Sequence, residues 1–235
     1  MAPSLSRMPE TNGGAVLFDL DGVLADSRAA ITGCLNDALE ANGFPRQAPD
    51  ALYRHIGPPL TLALAELTGE PPDSALVAAC IASYRERYAT KSLTDTIVTP
   101  GIAEVLAGLA AGGRALAVAT SKPRPFAEPL REALGLRSYF AVVAGPSFDL
   151  EAESKTETVG AALDALGAEG GAMVGDRSFD MVAARAHGLR AIGVAWGIGS
   201  RDELTSTGAE EIAETPADLA RALGAAPVSP PPARP

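Results

Sequence analysis

The stretch Ala15-Val16-Leu17-Phe18-Asp19-Leu20-Asp21-Gly22-Val23-Leu24-Ala25-Asp26-Ser27 runs four apolar residues into two aspartates one residue apart, then a glycine. Bounded by Gly13-Gly14 and Gly22, the run is too short for a helix, and its pattern predicts a buried strand. Asp19 and Asp21 then fall at its carboxyl end, where open α/β sheets keep their ligands. Side chains two apart along a strand share a face. Two carboxylates confined to one crevice repel unless a cation lies between them. Two readings follow: a metal-dependent acid site, or a strand-end turn with its acidic groups in solvent.

The chain has 235 residues, of which 47% are hydrophobic. That is enough for one large or two modest folded domains and excludes a disordered chain. The net charge of −10, with no basic cluster, argues against a nucleic-acid partner. No apolar run approaches the roughly 20 residues that span a bilayer, so no membrane partner is expected. Cys34 and Cys80 fall in apolar helical stretches. Two free buried thiols suit a reducing compartment, although a bridge remains open. Residues 1–12 lack the layout of a signal peptide, so a cytoplasmic location is expected. Sixteen Arg accompany only three Lys: Lys91, Lys122 and Lys155. Lysine in such a chain points to places that need a compact ammonium.

Residues 1–13 and the Pro-rich 225–235 lie outside the expected fold. After the first strand, helical signals dominate to about residue 92. Ser27 is placed to cap a first helix carrying Ile31, Cys34, Leu35, Ala38 and Leu39. Pro58-Pro59 interrupts a second helix begun near Asp50, and Asp73-Ser74 opens another through Tyr84 and Tyr88. From Thr99 the pattern alternates. Helices are predicted at 102–111, 126–134, 156–166 and 179–187, with strands at 114–120, 141–144, 172–174 and 191–194. Such alternation predicts a doubly wound α/β fold with a parallel sheet and right-handed crossovers. Residues 14–26 and 93–224 form its core, and 27–92 an inserted helical domain.

Four groups of residues now fall just after strands or before helices: Asp19 and Asp21, Thr120-Ser121-Lys122, Lys155, and Gly175-Asp176-Arg177-Ser178-Phe179-Asp180. Their order resembles the haloacid dehalogenase superfamily of phosphatases, over about Ala15 to Leu223. Ile56-Gly57-Pro58-Pro59-Leu60, Ala119-Thr120-Ser121-Lys122-Pro123 and Trp196-Gly197-Ile198-Gly199-Ser200 resemble its phosphoglycolate phosphatase group and a 5'-nucleotidase-like branch within it.

The resemblance implies a Mg2+-dependent phosphatase with a Rossmann-like core and a mobile cap at 27–92. In it Asp19 attacks phosphorus and Asp21 serves as general acid and base. An aspartate at position 21 separates phosphatases and mutases from the dehalogenases of the superfamily. Asp19, the Asp21 carbonyl and Asp176 hold the metal, with Asp180 in its outer shell. A helix N-cap is the other reading of Asp176. Thr120, Ser121 and Lys155 bind the phosphoryl oxygens, a solvated ion pair being the other reading of Lys155. Arg54, His55 and Lys122 are candidates to read the substrate. His55 would otherwise be a helix-end histidine, and Lys122 a surface lysine. Arg85 and Arg87 are expected on a solvated helix face, and His187 at a helix C-terminus. The expected substrate is a small phosphorylated metabolite, a nucleoside 5'-monophosphate or phosphoglycolate, turned over by a monomer or homodimer. The alternatives are phosphoglucomutase-like transfer and a catalytically quiet binding protein on the same fold.

Overall fold

The computed structural model describes residues 14–148 and 154–226. The leader 1–13, the acidic Glu151 and Glu153, and most of the tail lie outside them. Strand β1 (Ala15–Phe18) is buried along its whole length, as a continuous apolar run in the middle of a parallel sheet must be. It pairs in parallel with β4 (Leu116–Ala119) and β6 (Gly171–Gly175). With β5 (Val142–Ala144), β7 (Arg190–Val194) and β8 (Glu211–Ala213) the order is β5-β4-β1-β6-β7-β8, every pairing parallel.

Alternation along β1 divides the core in two. Val16 and Phe18 pack with α5 (Ile102–Ala111), α6 (Arg124–Ala133) and α10 (Pro216–Leu223) through Leu106, Leu130 and Leu219. Ala15 and Leu17 face α7 (Lys155–Leu166), α8 (Ser178–Ala186) and α9 (Arg201–Thr207) through Val159, Met181 and Leu204. This is the doubly wound α/β architecture expected from the alternating pattern.

The helical insertion after β1 begins and ends in a short antiparallel ribbon, β2 (Ala25–Asp26) against β3 (Ile97–Val98). Between its strands run α1 (Arg28–Ala41), α2 (Pro49–Leu52), a 3-10 turn at Tyr53–His55, α3 (Leu60–Thr68) and α4 (Ala75–Thr94). These helices have a core of their own, with Leu35, Leu39, Leu52, Leu64, Val77, Tyr84 and Tyr88 in one cluster. Cys34 and Cys80 belong to it as free, buried thiols.

Some local expectations change. Ser27 stands at the start of α1 but makes no cap, because its hydroxyl donates to Asp21. Ser74 does cap α4, accepting from Val77. Helix α6 starts two residues earlier than predicted and carries Pro129 within it. Neither β8 nor the β2/β3 ribbon was visible in the pattern: strands of two or three residues carry no period. Ala226 donates to the Gly108 carbonyl on α5, so the first two residues of the tail are packed rather than loose. None of the described helices is long and apolar enough to cross a membrane.

Candidate active site

The carboxyl ends of β1, β4 and β6 open onto one cavity of about 350 Å3, with α1, α3 and α4 closing its far side. Asp19 is the first residue past β1, tied to the sheet by its amide, which donates to the Val174 carbonyl at 2.9 Å. Asp21 lies in the turn beyond. Strand alternation therefore does not bring the two together. The turn does, folding back so that Leu24 and Ala25 donate to the Leu20 carbonyl. Gly22 makes this turn possible with φ +83°. A Cβ there would sit 2.2 Å from Asp176 Oδ2.

Lys155 is the first residue of α7, fixed by a capping box between Ser154 and Glu157. Its ammonium is buried and donates to Asp19 Oδ1 at 2.7 Å, with Asp180 Oδ1 2.8 Å away. Burial alone would discharge this lysine, but the carboxylates of Asp180 and Asp19 outweigh it and hold the ammonium protonated. Burial likewise dominates at Asp19, pushing its carboxyl up to about 6 against the pull of Lys155, with Asp180 and Asp21 adding to the rise.

Asp176 follows β6 and is fully buried. Arg177, not Asp176, occupies the N-cap position of α8. Asp176 Oδ2 accepts from the Ile198 amide at 2.7 Å, while Oδ1 has no partner. Burial, then the charges of Asp180 and Asp19, push this carboxyl well above the usual range, with the Ile198 amide opposing. The loop Trp196-Gly197-Ile198-Gly199 wraps the residue so closely that a Cβ on Gly197 would fall 2.3 Å from its own Cβ. Asp180 completes the cluster, its Oδ2 accepting from the Arg177 amide at 3.1 Å. Carboxylate oxygens of Asp19, Asp176 and Asp180 lie within 4.8 Å of one another. Among the described residues Lys155 is the cation that pairs with Asp19 and Asp180, and a buried oxygen of Asp176 remains bare. This donor set is all oxygen, short of positive charge and fitted to a hard divalent cation.

Thr120 is the first residue past β4, buried, with its hydroxyl accepting from the Lys122 amide at 3.1 Å. Ser121 is exposed to the same cavity. Lys122 is buried and turned to Asp21, with its ammonium 2.6 Å from Oδ1. His55 lines the cavity and is buried, and that burial lowers its pKa, with Glu66 opposing and Arg54 adding. Arg54 is not in the lining. It is exposed and pairs with Glu66 at 2.8 Å.

Several contributors escaped the sequence reading. Arg177 reaches from α8 to the Ile56 carbonyl and to Glu203 on α9, bridging the core and the helical insertion. Its position beside Asp176 was the available signal. Ser27 donates to Asp21 Oδ1 at 2.5 Å, and nothing in its sequence context distinguishes that from a cap. Arg85 is not on a solvated face, for it lies over the Phe148 ring at 4.6 Å and lines the cavity. His187 ends α8 as expected and contacts the Thr156 carbonyl at 2.8 Å.

A parallel sheet with acidic residues after β1 and β6, a lysine between them and a helical insertion over them fits a class of phosphoryl-handling hydrolases. Residues 16–194 match the family model for haloacid dehalogenase-like hydrolases. The chain belongs to that family and is an enzyme of its phosphatase kind. It is similar to the solved structure of Mycobacterium tuberculosis protein tyrosine kinase A (PtkA), at 35% identity and TM-score 0.78, over 91% of this chain and 99% of that one. It is also 37% identical over 191 residues to a 5'-nucleotidase of Pseudomonas aeruginosa, covering 80% of this chain and 86% of that protein. A phosphoglycolate phosphatase of Rhodospirillum rubrum is 32% identical over 219 residues, 89% and 90% of the respective chains.

Proposed function

We propose that this protein is a Mg2+-dependent phosphatase that hydrolyses a small phosphate monoester through an aspartyl-phosphate on Asp19. The observation that supports it most is one cavity holding Asp19 under the Lys155 ammonium beside the bare, buried Asp176 Oδ1. Asp19, the Asp21 backbone carbonyl and Asp176 would hold the metal. When bound, it adds positive charge against the phosphoryl oxygens and keeps Asp19 ionised.

Phosphate esters resist attack because their oxygens repel nucleophiles, so neutralisation and alignment matter most. The Thr120 hydroxyl, the Ser121 amide and Lys155 bind the oxygens of the transferring group. An Asp19 oxygen forms a bond to phosphorus as the bond to the leaving oxygen breaks. That oxygen keeps the electron pair and takes a proton from Asp21. Water then attacks phosphorus, giving a proton to Asp21, and the bond to Asp19 breaks, releasing phosphate. Asp180 holds Lys155 and the Arg177 amide in place for both steps. The helical insertion 27–92 acts as a cap that excludes water, hinged at the β2/β3 ribbon.

The lining favours a nucleoside 5'-monophosphate over phosphoglycolate. Pro58, Leu60, Tyr84, Tyr88 and Phe126 are among the residues lining the cavity, surfaces that suit a planar base. The carboxylate of phosphoglycolate needs a cation, and the two arginines among the described lining residues are engaged, Arg85 over the Phe148 ring and Arg177 with Glu203 and the Ile56 carbonyl. A panel of phosphate monoesters assayed for released phosphate tests the reading. Nucleoside monophosphates turned over ahead of phosphoglycolate, only with Mg2+ and not by Asp19→Asn, is the expected outcome. Equal turnover without Mg2+, or by Asp19→Asn, contradicts it. A relative named a tyrosine kinase is the observation that favours a second reading, transfer to an acceptor hydroxyl. Product analysis separates that from transfer to water.

A further inference from the structure

Lys122 is a buried ammonium on the loop after β4, at the wall of the cavity, and it is held by two protein side chains. One is Asp21 Oδ1 at 2.6 Å. The other is the hydroxyl of Tyr88 on α4, whose ring centroid lies 4.9 Å from the ammonium. Tyr88 is itself immobilised, stacked on Tyr84 at 5.2 Å and met edge-on by Phe126 at 5.1 Å. Asp21 Oδ1 accepts a second hydrogen bond from the Ser27 hydroxyl.

A carboxylic acid has one carbonyl-like oxygen that accepts and one that bears the proton. With two donors aimed at Oδ1, the proton is left to Oδ2. A charge-assisted hydrogen bond from a buried lysine is among the stronger ways to fix such an orientation. Through Lys122, Tyr88 of the helical insertion is linked to the acid.

We propose that Lys122 is a positioning residue for Asp21, held in turn by Tyr88, and that it fixes which carboxyl oxygen delivers the proton to the leaving oxygen. Lys122 therefore acts through Asp21 and not on the substrate. This rests on the reading of Asp21 as the general acid. In the first step Asp19–phosphorus forms, phosphorus–leaving oxygen breaks, and the Asp21 Oδ2 proton passes to that oxygen. Good leaving groups depart without this proton, and poor ones do not.

The test is a series of monoesters graded in leaving ability, from 4-nitrophenyl phosphate to alkyl phosphates, assayed with Mg2+ in the full-length protein. Wild type, Asp21→Asn, Lys122→Met and Tyr88→Phe are compared by kcat/KM. Lys122→Met is expected to lose about tenfold or more beyond its 4-nitrophenyl loss on alkyl esters, approaching the steep dependence of Asp21→Asn. Tyr88→Phe, which removes one oxygen and keeps the stacked ring, is expected to shift the same way by a smaller factor. It carries the test if Lys122→Met does not fold. A uniform loss across the series in both variants, with Asp21→Asn steep, overturns the positioning role and leaves the acid assignment standing. Asp21→Asn with the leaving-group dependence of wild type overturns the acid assignment and this proposal with it.

Discussion

At the scale of single residues the site is a balance of buried charge. Asp19, Asp176 and Asp180 converge with Lys155 as their nearby cation. The Asp19 carboxyl is held above its ordinary value of 3.8, at about 6. A carboxyl raised in the folded state stabilises the fold below its unfolded value, and that contribution is lost as pH rises through the folded one. Above that range the ionised cluster needs a cation, and below it protons compete for the same oxygens. Mg2+ is therefore expected to raise the melting temperature more at about pH 7.5 than at about pH 5. Differential scanning calorimetry at the two pH values measures this, and an equal shift at both contradicts it. The acidic members of this cluster were legible because each follows a strand or opens a helix. The direction of Lys122 was not, since a lysine before a proline carries no mark of burial. Nor was Ser27, whose hydroxyl abandons a cap to serve Asp21.

At the scale of elements the contacts between core and insertion run through few side chains. Arg177 links the Ile56 carbonyl to Glu203, and its side chain crowds the space beside Gly57, which has φ +105°. Arg177→Met removes both links without touching the Asp176 carboxylate. We expect KM to rise about tenfold while the melting temperature falls by less than about 4 °C. Steady-state kinetics beside a thermal melt distinguishes this from unfolding. A KM unchanged from wild type would show that the link does not hold the insertion over the substrate. Helices α1 to α8 and the longer strands were readable from period and punctuation, most ends to within a residue or two. What escaped were α9 and α10, beyond the last predicted strand, and pieces too short to show a period: β8, the β2/β3 ribbon, and the turn that pairs Asp19 with Asp21. Tertiary hydrogen bonds decide those, and a local pattern does not contain them.

At the scale of the molecule, stability comes from two apolar layers against one sheet and a third cluster within α1–α4. Phe18 sits at the centre of the first, fully buried one residue before the nucleophile position, with the Phe140 ring edge-on at 5.9 Å. Phe18→Ala is expected to cost about 3–5 kcal/mol. Leu62→Ala, at a position 55% exposed, is expected to stay within about 0.5 kcal/mol. Urea melts of the two variants measure the difference, and a similar cost for both would contradict the placement of the core. The layered architecture was evident from the alternation of helix and strand after Thr99. How α1–α4 shape the cavity was not, because the apolar pattern marks which residues are buried and not which walls they form.

In the proposed mechanism Asp19, the first acidic residue of the opening stretch, becomes covalently phosphorylated. Acid quenching during turnover with Mg2+, followed by peptide mass spectrometry, measures it most directly. One phosphoryl group is expected on the peptide carrying Asp19, lost on mild base treatment and absent from Asp19→Asn. Phosphate released at full rate with that peptide unmodified throughout, or a phosphoryl group on another residue, would contradict it.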